Sequence, residues 1–148
     1  MADFLETLHK ELALALGDAV WAFARIEWVV HDYLQRLSKD RLNELLGDLT
    51  FRPRANVLRR LVEHSKAPHA TKERALSAIS QAEGLADRRN VIVHNPWSIW
   101  IDLDAKEFMH QIQKYSNPNK KIDLKQLKEF ASECERVEQT LNESLSVL

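Results

Sequence analysis

Three glycines and four prolines in 148 residues leave little to interrupt the chain, so long regular elements and short connections are expected. The lone cysteine, Cys134, excludes an intramolecular disulfide framework and suits a reducing compartment. It falls at an apolar position of a helical pattern, which marks it as a packed core thiol. A net charge of -1 gives no general electrostatic footprint for nucleic acid, although it leaves room for a small local basic site. Long hydrophobic runs are also missing. The most apolar stretch, residues 12–30, carries Asp18, Arg25 and Glu27 and does not read as a membrane span. The opening Met1-Ala2-Asp3-Phe4-Leu5-Glu6 lacks the basic region of a signal peptide. One soluble, cytoplasmic domain over residues 1–148 is expected, long enough to bury a real core.

Several chemistries are missing too. There is no glycine-rich phosphate loop, no Cys-x-x-Cys pair and no His-Glu-x-x-His helix. The six histidines, at 9, 31, 64, 69, 94 and 110, do not follow metal-ligand spacing, so neither a metal nor a cofactor is expected. No serine or cysteine sits in a nucleophile context.

What is present is helical periodicity. Apolar residues recur at helical spacing from Leu5 through Leu37, with Gly17-Asp18 as a candidate bend and Asp18 as a cap for its second part. Residues 21–28 are apolar on nearly all sides, which predicts burial on more than one face. Arg25 and Glu27 within them have two readings. They pair or reach solvent at the edge of that face, or Glu27 or His31 points towards a polar cluster further along.

Ser38-Lys39-Asp40 opens a short helix that ends at Gly47. A second short helix over residues 53–64 has Val57, Leu58, Leu61 and Val62 as its core face. Arg52, Arg54, Arg59 and Arg60 form its outer face, read as a solvated basic face with an RNA backbone contact as the alternative. After the loop at Ala67-Pro68, Thr71 caps a helix that runs to His94. Alternating residues 98–103 and 108–113, with Asp104-Ala105-Lys106 between, predict a β-hairpin; residues 106–115 as a short helix is the alternative. Residues 116–121 read as a loop, and Asp123 caps a last helix to about Leu145. The fold class is mainly all-α, a bundle of four or five helices with a small β-hairpin after the central helix.

Polar chemistry collects where that central helix stops, in Arg88-Arg89-Asn90-Val91-Ile92-Val93-His94-Asn95-Pro96-Trp97. Pro96 cannot continue a helix and pushes Asn95 out of the helical region. Asn90 and His94, four apart, share a face, and Trp97 and Trp100 follow. A polar helix terminus would look the same, with His94 at the negative end of the dipole. Spacing alone does not choose between these readings. Arg59 and His64 are also separated by four residues, and Arg25…His31 and Arg88…His94 by five.

Arg89-Asn90-Val91-Ile92-Val93-His94 resembles the signature of the HEPN family, helical-bundle domains of prokaryotic defence and toxin systems. That signature is Arg, four to six residues, then His near the end of a bundle helix, often with Asn after the Arg. The resemblance implies metal-independent RNA cleavage, with Arg89, Asn90 and His94 as catalytic residues and Arg88 and Asn95 as RNA contacts. It also implies a homodimer whose two motifs share a cleft, and an antitoxin or defence-complex protein as a partner. A non-catalytic module of the same fold that binds nucleotide, RNA or protein stands beside it. So does a helical interaction protein that uses Trp21, Trp28, Trp97 and Trp100 at its core or interface.

Overall fold

The computed structural model describes residues 2–39 and 41–148; for Ala2, Trp100, Ile101, Glu107, Met109, His110 and Pro118 the backbone alone is described. The elements are α1 (Ala2–Ser38), α2 (Leu42–Leu45), α3 (Phe51–His64), α4 (His69–His94), β1 (Trp97–Asp102), β2 (Glu107–Lys114), β3 (Asn117–Asp123) and α5 (Leu124–Leu145). This is the mainly helical bundle expected, with a sheet inserted between α4 and α5.

α1 is the spine of the bundle and touches α3, α4 and α5. Its buried residues, among them Leu12, Ala19, Phe23, Ile26, Val30 and Leu34, recur every three or four positions, as one face of a helix must. The helix runs unbroken for 37 residues. The expected bend at Gly17-Asp18 is therefore corrected: Gly17 keeps a helical backbone, and one glycine costs a helix of this length only about 1 kcal/mol. α1 stops at Lys39, whose φ of 57° is the left-handed conformation that commonly ends helices. Asp40, expected to help open the next helix, lies outside the described residues.

Burial of residues 21–28 on several faces is also corrected. Ala22, Phe23 and Ile26 are buried, whereas Trp21 and Trp28 are 70% and 67% exposed. The local run is apolar all round, but only one side of α1 has neighbours.

α3 begins at Phe51, with Pro53 in its first turn as expected. α4 begins at His69 with Pro68 at the cap position, three residues before the expected cap at Thr71. Lys72 donates its backbone N–H to the Pro68 carbonyl at 3.1 Å, so the helix gains its first turn without a side-chain cap.

The sheet has three antiparallel strands in the order β1-β2-β3. Its first two are the expected hairpin. Asp102 accepts bonds from the backbones of Asp104 and Ala105, and Lys106 turns the chain at a φ of 54°. β3 corrects the loop expected over residues 116–121. Asparagine, proline and lysine suppress a strand signal, yet an edge strand tolerates all three. Ile112 of β2, paired with Ile122, is fully buried and fastens the sheet to the helical core.

Asp123 caps α5 as expected, in a capping box with Gln126 (2.7 and 3.0 Å). Cys134 is buried as expected, with Phe130 and Val137 adding to the same core face. Burial pushes its thiol up to about 12; Arg88 opposes the rise, and Glu133 and Glu135 add to it. A disulfide reagent at pH 8 is expected to leave Cys134 untouched in the native protein and to titrate one thiol in denaturant. The folded state holds this proton more tightly than the unfolded chain, whose thiol keeps its ordinary value of 9.0. This contribution to stability is therefore complete below about pH 9 and lost as pH rises towards 12, a slope that Cys134→Ala removes from urea midpoints.

Candidate functional site

The arginines of α3 show how the site is assembled. Arg52 bonds Asp87 with both carboxylate oxygens at 2.9 and 3.0 Å. Arg59 bonds Glu83 at 2.7 Å and Ser80 at 3.1 Å. Arg54 turns inward to Glu27 of α1, with only 13% of its side chain exposed. Only Arg60 pairs within its own helix, with Glu63. The solvated basic face expected for α3 is corrected to a seam of ion pairs. Residues 52 and 59 fall on the α4 side of the helix, and residue 54 falls beside the α1 side.

At the upper end of this seam the chain leaves a cleft of about 610 Å³ between α1, α3 and α4. Phe23 and Glu27 come from α1, Asp48 and Leu49 from the connection, Arg54 from α3, and Arg89, Asn90 and His94 from α4. Glu27 is its hinge. One carboxylate oxygen accepts from Arg54 at 3.1 Å and from Arg89 at 3.3 Å, so two guanidinium groups are held side by side. Arg89 also lies over the Phe23 ring, 5.3 Å from its centroid, and donates to Asn90 Oδ1 at 3.0 Å. The ring and the carboxylate together restrict a side chain that would otherwise sample many rotamers.

Three of the five expected site residues are thus gathered: Arg89, Asn90 and His94 line one cleft. His94 is exposed in the last turn of α4, and no hydrogen bond joins it to Asn90 among the described residues. The other two are used elsewhere. Arg88 faces α5, where it bonds Glu133 at 2.5 Å and covers Phe130. Asn95 closes the helix: its amide donates to Val91 O at 2.8 Å and accepts from the Tyr115 backbone at 3.1 Å. Trp97 packs against the core with its indole N–H buried and without a hydrogen-bond partner among the described residues; the Trp100 side chain lies outside them.

The look-alike pairs separate on geometry. His64 bonds its own helix at the Arg60 carbonyl while Arg59 is engaged with Glu83. Arg25 bonds Glu138 of α5 at 2.6 Å, while His31 stacks on Trp28. Neither pair shares a cleft in the way that Arg89 and His94 do.

Glu27 was one of two candidates to face the cluster, and it does. Arg54 was missed as a cleft residue. Its signal was present: Arg54, Leu58 and Val62 are four apart, so the arginine continues the buried stripe of α3. The cleft carries Arg52, Arg54 and Arg89 against Glu27, Asp48 and Asp87, a balanced set beside which His94 is the one imidazole among the lining residues described. A larger depression of about 970 Å³ lies between β2 and α5, near Phe108, Leu124 and Lys128, and among the described residues its lining includes no histidine. Among the described residues, no group of three or more His, Cys, Asp or Glu side chains is placed to hold a metal ion, and no helix is long and apolar enough to cross a membrane.

Compared with protein-family models, curated proteins and solved structures, the chain matches none.

Proposed function

We propose that the cleft cleaves RNA without a metal, as a HEPN-type endoribonuclease acting as a toxin or phage-defence effector. The observation that carries this reading is that Arg89, Asn90 and His94 line one cleft in which a second arginine, Arg54, is held beside the first. Paired guanidinium forks suit a phosphodiester and the negative charge that develops on it during attack. The 2′-oxygen forms a bond to phosphorus as the P–O5′ bond breaks, leaving a 2′,3′-cyclic phosphate and a 5′-hydroxyl. One group must take the 2′-hydroxyl proton and another must protonate the departing oxygen. His94, exposed at the mouth of the cleft, can do one of these, and the His94 of a second copy facing it supplies the other. Asn90 positions Arg89 through the bond between them.

The test is incubation of mixed RNA with purified protein in EDTA. Cleavage to cyclic-phosphate ends is expected, falling by about 100-fold or more in His94→Ala and similarly in Arg89→Ala. Arg59→Ala and His64→Ala should cleave as the wild type does. Equal cleavage by wild type and His94→Ala would sink the proposal.

One observation favours a second reading. Glu27 already pairs with both guanidinium groups, so a bound phosphate has to displace a carboxylate. A non-catalytic module that binds RNA, nucleotide or protein needs no such exchange. Intact RNA with every variant supports it.

A further inference from the structure

The outer face of α1 carries an apolar stripe. Leu14, Trp21 and Trp28, seven residues apart, are 67%, 70% and 67% exposed. Gly17 and Ala24 alternate with them, so large and small side chains follow the three-four spacing of a helix-pairing seam. Two exposed indoles at successive heptad positions, one of them with the His31 ring stacked on it, are an unusual load for a surface helix. Space beside Gly17 is also open, with nothing within 4 Å of an added Cβ, which gives a neighbouring indole somewhere to sit.

We propose that this stripe pairs, antiparallel, with the same stripe of a second copy about a two-fold axis at Trp21. The charges flanking the stripe select both partner and direction. An axis at Trp21 brings Leu14 opposite Trp28, Lys10 opposite Asp32 and Glu6 opposite Arg36. Within each chain Lys10 bonds Glu6 and Arg36 bonds Asp32, so each end of the pairing joins two ion pairs into an alternating group of four. Asp18 comes beside Arg25 across the same seam. A parallel pairing would instead set Lys10 on Lys10 and Asp32 on Asp32. Size agrees as well. The four indoles contribute about 500 Å² of apolar surface, half of the roughly 1,000 Å² a specific interface needs before Leu14 and the charged flanks are added.

Glu27 stands about 100–120° around α1 from the stripe, at 3.6 residues per turn. The pairing leaves both clefts open, so it is separate from any contact across the cleft. A protein with both contacts would have two isologous interfaces and form a larger assembly.

Sedimentation of the full chain at about 50 µM, well above a micromolar Kd, is expected to show association that Trp21→Glu with Trp28→Glu reduces by one interface. Helix content should persist, because both residues are already exposed. The direction is read by cross-linking with a short bismaleimide, since helices in contact lie about 8–10 Å apart. A mixture of Lys10→Cys and Asp32→Cys chains should link to each other. Lys10→Cys alone should not, because its copies are about 33 Å apart along the seam at 1.5 Å per residue. The buried Cys134 stays silent. A strictly monomeric wild type, or association untouched by the double variant, overturns the proposal, and self-linking of Lys10→Cys overturns its direction. RNA cleavage by the double variant as fast as by wild type would leave the cleft reading standing whatever the stripe does.

Discussion

Phe23→Ala is expected to lower stability by about 3–5 kcal/mol, the usual range for removing a buried phenyl ring from a core. Phe23 is 1% exposed and meets the Phe51 ring edge-on, with centroids 5.3 Å apart. It is placed where α1 and the start of α3 meet, so neighbouring elements cannot collapse into the void without shifting Phe51. Because the Arg89 guanidinium also rests on this ring, the loss should reach the cleft. At roughly 2–4 °C per kcal/mol for a chain of this size, the melting temperature should fall by roughly 6–20 °C. Phe23→Leu, which keeps most of the volume, should lose well under half as much. If Phe23→Ala melts within a few degrees of wild type, the core described around α1 is wrong at this point.

Glu27→Gln is expected to come second, at about 2 kcal/mol. It removes the charge that separates Arg54 from Arg89 and leaves two guanidinium groups facing one oxygen. Breaking a fully buried pair this way costs about 3–5 kcal/mol. The side chains here are 13%, 24% and 28% exposed, so solvent screening reduces the figure. The distinguishing measurement is the anion dependence. Inorganic phosphate added to Glu27→Gln should recover much of the lost melting temperature by binding where the carboxylate was. Wild type should respond little, because Glu27 already occupies that position. Arg54→Gln in the same background should abolish the recovery. A Glu27→Gln variant as stable as wild type and indifferent to phosphate would show that the two arginines do not form a shared anion site.

The two substitutions test different levels of the same structure. Phe23 was legible as a core residue from helical spacing alone, because a side chain's position around a helix follows from its number. The helical class, the stop of α4 at His94, the cap at Asp123 and the buried Cys134 were legible for the same local reason. They depend on residues within a turn or two of one another.

What lay beyond the sequence depended on neighbours distant along the chain. The edge strand β3 carries no alternating signal of its own and exists because β2 offers it a ladder. Trp21 and Trp28 read as core but are exposed, since only one side of α1 is covered. Arg88, Arg89 and Asn95 are near-neighbours in the sequence, yet one faces α5, one faces the cleft and one closes the helix. The sequence by itself determined the long helices, the stop of α4 at His94 and the motif at residues 89–94, although not every helix start. The tertiary structure alone decided that Glu27 joins Arg54 to Arg89, because 27 and 35 residues separate these partners from one another and only packing brings them within 3.3 Å of one carboxylate.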